Sequence, residues 1–528
     1  MVAAFCGGAF ACAWAQEPGA SPAPPPNASA EIQELREQVQ ALTEMVRTLQ
    51  QQVQSHPGGG SQPNPSSPLP ENAEPQVATV APSPGAPPAA SAPALFPTTD
   101  ESVVASTGPI PPPGAHATAF PTSDSSVTTD NAAAATATPA GSSLTQPITI
   151  ASGAGGKNYM NISFDSLFTF DATKERDVGR LEVGDHDPQQ RGFNARNTEL
   201  SLTGAVDPYF EGFANIVLKL ENNNETEIEL EEVFMQTTSL PYGLQLKGGQ
   251  FFAGFGRLNT MHPHTWDFAN VSLVNGRLLG PDGLRGLGVQ AAWIVPVPWY
   301  SQLLLGVQNG RGGTAYSFRN SGDNGRFFGR LTSDRELRGG GDFVYVPRWE
   351  NSVNLSDTQT LLGGVSGAFG ANETGAHTRT EIYGVDLLYK WKSTHAEGGF
   401  PFVKWQSEAL YRRYEAGRGV DLEFPVAETF HDWGMYSQVL WGFKKGWVAG
   451  IRGDYLHMEE SRFTDDDDRQ SRSRISAGLT WYPTEFSKLR LQYQHDFLEE
   501  NDFLADRDVD SVMLQFEFIL GAHGAHKF

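Results

Sequence analysis

Cysteine is almost missing from this chain. Its 528 residues contain two, Cys6 and Cys12, both at the very start. That leaves the remainder without disulfide or thiol chemistry. Beyond the first residues there is no apolar run of about 18, the length a membrane-crossing helix needs. Between 56 and 156 there is not one Lys or Arg, and the whole chain carries a net charge of −23. With no basic surface to meet phosphates, nucleic acid is excluded as a partner. GxSxG, HExxH, P-loop and Rossmann signatures are absent too, and GFGRLN reads as a strand-end turn rather than a phosphate cradle. The chain is therefore read as a non-enzyme, with no cofactor. Hydrophobic residues reach only 39%, below the ~45–50% usual in soluble domains, while aromatics make up 11%. A polar lumen inside an aromatic-rich exterior would produce that combination.

What is present falls into four regions. Residues 1–15, ending in Ala13-Trp14-Ala15, read as a signal peptide with a small-residue cleavage site. Over 28–55, Ile32, Leu35, Val39, Leu42, Val46, Leu49 and Val53 alternate steps of three and four, the seam of a short coiled-coil helix. Asn27 and Ser29 offer caps, and Pro57-Gly58 ends it. Residues 56–156 are Pro, Ala, Ser, Thr and Gly, too polar to repay the entropy of ordering, and read as a disordered tether. Within it LFPTTDESV (95–103) and AFPTSDSSV (119–127) repeat; a short motif of this kind could dock a partner such as peptidoglycan, and a recent duplication within a loose linker is the simpler reading.

From 157 to 528 the period changes to two. Val512, Leu514, Phe516, Phe518 and Leu520 share one face of the last segment, with Gln515 and Glu517 on the other. Trp433, Met435, Val439, Trp441 and Phe443 share a face, and Lys488, Arg490, Gln492, Gln494 and Asp496 oppose Leu489, Leu491, Tyr493 and Phe497. Charges on one side and rings on the other suit a wall between lipid and water. Sixteen such segments are expected: 158–170, 193–206, 209–220, 227–238, 244–252, 286–295, 299–308, 341–354, 359–370, 379–391, 403–414, 432–443, 446–457, 471–482, 487–498 and 509–520. Tight turns alternate with long polar loops between them. The reading is all-β: a 16-stranded antiparallel transmembrane barrel, both ends periplasmic, closed by the last strand with Phe528 as terminal aromatic.

A signal peptide, a short coiled coil, a Pro-rich tether and such a barrel together resemble the porins of the phosphate-selective O/P type. Locally GGQFFAGFGRLNTMHPHTWDF (248–268), ELRGGGDFVYVPRWENS (336–352), YGVDLLYKWK (383–392) and GAHGAHKF (521–528) resemble the group labelled zinc-regulated TonB-dependent outer-membrane receptors. The resemblance implies a passive or selective outer-membrane channel assembled as a homo-trimer. Its partners would be outer-membrane lipid and lipopolysaccharide, and its solutes small and hydrophilic, including anions such as phosphate. A separate plug domain and the larger strand number of an energised receptor have no counterpart here.

Candidate functional residues follow from this geometry. The loop 253–285 is long enough to fold inward, and Arg257, Arg277 and Arg285 would then set the charge of a constriction. Arginines that merely brace the loop against lumen carboxylates would look the same in sequence. Lys404, Glu408, Arg412, Arg452, Asp454, Lys488, Arg490 and Asp496 should face the lumen with mixed sign. His262 and His264, with Asp267 as third ligand, and His523 and His526 at the other end could each hold a metal ion. Ordinary hydrogen-bonded histidines are the simpler reading. Asp465 to Asp468 read as a solvated loop rather than a calcium site. Arg319, Arg326, Arg330, Arg335 and Arg338 read as a basic stretch that could attract anionic solutes or lipid phosphates, with surface decoration as the plainer alternative. The competing functions are a closed-lumen receptor, including one tied to zinc uptake, and an envelope tether acting through the N-terminal arm.

Overall fold

The computed structural model describes residues 148–152, 159–205, 207–319, 325–333, 335–418, 426–462, 469–498 and 507–521. The expected signal peptide, coiled coil and nearly all of the tether lie outside these residues, as do His523, His526, Phe528 and Asp465 to Asp468. One short part of the expected tether is ordered: Ile148–Ser152 is a strand paired antiparallel with Tyr159–Ile162. Three consecutive β-branched residues, Ile148 to Ile150, explain the departure.

Sixteen strands make the wall. They are β1 (Tyr159–Thr173), β2 (Gly192–Ala205), β3 (Phe210–Leu220), β4 (Thr226–Thr237), β5 (Leu244–Phe252), β6 (Arg285–Ile294), β7 (Tyr300–Gln308) and β8 (Val344–Ser356). There follow β9 (Gln359–Ala371), β10 (Arg379–Glu397), β11 (Phe400–Ala416), β12 (Glu428–Lys444), β13 (Trp447–His457), β14 (Arg472–Thr484), β15 (Ser487–Leu498) and β16 (Arg507–Leu520). Each pairs antiparallel with the next, and β16 returns to β1 through Ser511↔Thr173 to Leu520↔Phe164, so the sheet closes. The expected count and order hold. The largest difference is at β10 and β11, which run on to Glu397 and Phe400. There Gly398 and Gly399, at φ 54° and 90°, form a two-residue turn whose backbone twist matches the strands.

Burial is inverted relative to a soluble domain. On β16, Val512, Leu514, Phe516 and Leu520 are exposed, while Ser511, Gln515 and Glu517 are buried. On β15, Leu491, Tyr493 and Phe497 are exposed, and Lys488, Arg490, Gln492, Gln494 and Asp496 are buried. The outside is an apolar band, and rings gather toward its two ends. Trp447 and Trp481 stack at 5.8 Å near the short turns, and Trp433 and Tyr455 lie 5.1 Å apart toward the long loops. An exterior this greasy is stable only against lipid, and a closed ring leaves no unpaired edge within it. No helix among the described residues is long and apolar enough to cross a membrane.

Candidate functional site: a loop seated in the lumen among buried acids and imidazoles

The connection between β5 and β6 folds into the barrel, as its length suggests, and crosses it. Leu258 N–H donates to Glu408 on β11 (2.6 Å), Ala269 N–H to Gln492 on β15 (2.8 Å) and Leu273 N–H to Asp454 on β13 (3.1 Å). On the opposite wall, His262 meets Glu232 of β4 at 3.1 Å. Ser272 caps a short helix, Leu273–Leu278, whose Leu273, Val274 and Leu278 are buried. With Phe255, Ile382, Leu410 and Tyr436 they form an apolar cluster in the middle of the lumen. Wall glycines make room for it. A Cβ on Gly384 would lie 2.8 Å from the Phe255 ring, and one on Gly434 2.9 Å from Val274.

The expected lumen-facing charges all point inward, and all but one hold this loop. Lys404 pairs with Asp267 (2.9 Å), and Arg412 donates to the Arg277 carbonyl (3.2 Å). Arg452 donates to Asn270 through its carbonyl (2.9 Å) and its side chain (2.8 Å). Lys488 donates to the His264 carbonyl and Arg490 to that of Trp266. Glu408 and Asp454 accept the amides already given. Asp496 instead binds Arg474 (2.6 Å), which reaches Glu182 in the loop 174–191 (3.0 Å). All of these charges but Lys404, which is partly exposed, are almost fully buried, so they do not line open water.

The three arginines proposed for a constriction occupy three places. Arg257 is half-buried at the loop's entry. Arg277 lines a cleft of about 390 Å³ on the long-loop side, together with Glu175, Arg180, Asp185, Arg472 and Arg507. Arg285 is buried at the loop's exit, paired with Glu229 and Asp282 and donating to the Glu231 carbonyl (2.7 Å). Arg285 is thus a brace. The basic stretch is used internally as well. Arg319 donates to the Asn309 carbonyl (2.6 Å), Arg330 to Glu428 (2.5 Å), and Arg335 pairs with Asp342 (3.0 Å), while Arg326 and Arg338 stay exposed.

His262 and His264 do come together, their rings stacked 5.8 Å apart, but Asp267 is not with them. By Asp267 the loop has crossed toward β11 and β12, where the carboxylate takes Lys404 and a bond from Gln438 (2.6 Å). The acids around the imidazoles come from the wall. His262 Nδ1 lies 2.8 Å from Glu231 and 3.5 Å from Glu199, and its Nε2 3.1 Å from Glu232. His264 Nδ1 lies 3.1 Å from the other oxygen of Glu199. Asn215 on β3 donates to both Glu199 (3.1 Å) and Glu231 (2.7 Å), and is itself held by Ser201 (2.7 Å). Burial pulls the His262 pKa down, but the charges of Glu231 and Glu199 outweigh it and hold the imidazole well above its usual value.

Two successive glutamates face the lumen because the register slips. Asn215 pairs with Glu232 and Ile216 with Leu230, so Glu231 is the extra residue of a bulge. The sequence carried that signal. The outward residues Ile228 and Leu230 are followed by Val233 and Met235, a step of three where strict alternation gives two.

A third histidine, absent from the sequence-derived candidates, extends the group. His186, in the loop 174–191, lies 3.1 Å from Asp282 and 3.7 Å from Glu231, and its other nitrogen meets the Arg196 carbonyl at 3.1 Å. Burial lowers its pKa, yet the bond to Asp282 and the charges of Asp282, Glu231 and Asp185 lift it to about 10. No local spacing marks this residue, since 96 positions separate it from Asp282.

No family model matches the chain. A protein of Aquifex aeolicus (strain VF5), described as uncharacterized, is 32% identical over 394 residues, covering 70% of this chain and 79% of that protein. Among solved structures, the outer membrane channel DcaP of Acinetobacter baumannii covers 69% of this chain and 98% of its own, at 10% identity and a TM-score of 0.45. An anion-selective porin from Comamonas acidovorans covers 69% and 99%, at 7% identity and 0.44. OmpF of Salmonella typhi, in complex with daunomycin, covers 69% and 98%, at 11% identity and 0.43. Likeness at these levels concerns the barrel fold alone.

Proposed function

This chain belongs to one family with the Aquifex aeolicus protein, and from that premise we propose that it is an outer-membrane porin-type channel for small hydrophilic solutes, gated by the loop 253–284. The observation that carries this reading is the closed ring with an apolar outside and a charged inside, its interior filled by that loop together with Val183, Ala315 and Phe318 from two other loops. A wall of this kind needs a membrane reached by export. The strand direction puts Tyr159, the start of β1, on the short-turn side, which this reading assigns to the periplasm together with the N-terminal arm. Porins of that architecture commonly assemble as trimers, and this reading extends that to the present chain. The loop is held by polar bonds to several strands, so solute passes when it leaves the wall. Mixed signs in the cleft give anions and phosphate no advantage over other small solutes. The reading assigns no catalytic step.

A closed-lumen receptor is the second reading, favoured by the burial of Arg412, Arg452, Lys488 and Arg490. Conductance in planar bilayers separates the two. The channel reading expects brief openings from the full chain and sustained ones when 258–280 is replaced by a short Gly-Ser turn. If the full chain stays silent and the shortened one also stays silent, the channel reading fails and the receptor stands.

A further inference from the structure

Three sets of metal-ligating side chains among the described residues are joined end to end. Asp185, His186 and Asp282 form one, Glu199, Glu231 and His262 the next, and Asp165, Glu199 and His264 the last. Glu199 belongs to both lower sets, one oxygen toward each imidazole, and His186 of the upper set reaches Glu231 of the middle one. Within each set the ligand atoms lie within 4.8 Å of one another. His186 and Asp282 sit in the long-loop region, and Glu231 and Glu199 lie near the middle of their strands. Asp165, mid-strand in β1, pairs directly across from Glu199, so the two lower sets lie side by side beneath the first.

The independent sign of a ligand is Asp165. It is 5% exposed, and neither of its carboxylate oxygens accepts a hydrogen bond among the described residues. A buried carboxylate without a donor costs several kcal/mol unless something compensates it. Glu199 and Glu231 likewise meet imidazole and amide nitrogens rather than Lys or Arg. A divalent cation held between an imidazole and two carboxylates would compensate all three acids, and mixed nitrogen and oxygen donors suit borderline metals over Mg²⁺ or Ca²⁺.

We infer that Asp165, Glu199, Glu231, His262 and His264, with Asp185, His186 and Asp282 above them, form a line of linked binding positions for divalent transition-metal cations. Neighbouring positions share Glu199 or adjoin through Glu231, so a cation moves along the line by exchanging one ligand at a time while the loop 253–284 stays docked, a route separate from the one that opens when the loop leaves the wall. This deepens the channel reading by naming a solute class, and rests on that reading for movement though not for binding.

Titration calorimetry of the detergent-solubilised full chain with Zn²⁺, and separately with Mg²⁺, tests it. The full chain should bind Zn²⁺ and show no binding of Mg²⁺ at the same concentrations. Glu199→Gln should weaken Zn²⁺ binding by about tenfold or more, the scale of lost metal-site partners. Asp165→Asn should do the same without loss of any hydrogen bond, which guards against a merely misfolded Glu199 variant. Asp510→Asn, on the outer rim, should bind as the parent does. Absent Zn²⁺ binding, or Zn²⁺ binding as tight as the parent's by both lumen variants, overturns the inference. Zn²⁺ binding by a protein silent in bilayers overturns the channel alone, and conduction without binding overturns the metal line alone.

Discussion

Arg452→Met tests whether lumen charges keep the loop docked. Arg452 on β13 is 2% exposed; it pairs with Asp454 (2.8 Å), donates twice to Asn270 and lies 4.8 Å from the centre of the Phe268 ring. Methionine keeps much of the stem's volume and removes every one of those polar contacts. Breaking one side of a buried ion pair costs about 3–5 kcal/mol, because the other charge is stranded. Here the stranded group is Asp454, and water reaches it once the loop leaves. Most of the cost therefore falls on the docked state and drives release. At about 1.4 kcal/mol per tenfold, the undocked population rises by roughly 10² to 10³. Single-channel recording at fixed voltage reads this as open probability. Arg413→Met, which removes a half-exposed charge paired with Glu415 (2.9 Å) outside the lumen, is the control and should leave it unchanged. If Arg452→Met folds with normal yield and its open probability changes by less than about tenfold, the loop is not held in the way described.

Gly384→Val would drive a side chain into the Phe255 ring, 2.8 Å from a Cβ at that position; sustained conductance is expected, and a parental trace would show that Phe255 does not seal the lumen. Leu514→Arg puts a charge on the lipid face at mid-strand, where the cost is about 2–4 kcal/mol. Yield of folded barrel in bilayers should drop, and an unaltered yield would argue against a lipid-facing exterior. Asp187, buried beside Glu182, has its pKa raised to about 7, while it accepts from Val271 N–H (2.9 Å) and Gly184 N–H (2.8 Å). The folded state then takes up a proton near neutrality and the unfolded chain only near 4, so stability rises as pH falls from about 7 to about 4. Denaturant titrations at several pH values should show that slope, and Asp187→Asn should flatten it.

Period-two alternation with charged and aromatic faces was enough to place all sixteen strands in order, because a wall between lipid and water imposes that pattern on every strand. It also showed which face each of Lys488, Arg490 and Asp496 takes. The loop's inward turn was legible from its length and its place between β5 and β6. What lay beyond local pattern was partnership. Arg285 looks equally suited to line a pore or to brace a loop, and only its position beside Glu229 and Asp282 decides for the brace. His262 and His264 stand out by spacing, yet their acids come from β1, β2 and β4, 30 to 99 residues away in the chain.

The bulge at Glu231 lies between these cases, readable as a phase slip once one looks for it, but with a consequence only the folded barrel reveals. Sequence alone determined the architecture, since side-chain alternation is a local property that the membrane enforces residue by residue. Tertiary structure decided the site, since closing the sheet brings β16 against β1 and carries the loop across to meet carboxylates from separate strands. No pattern along the chain encodes that meeting; the distances across the lumen do.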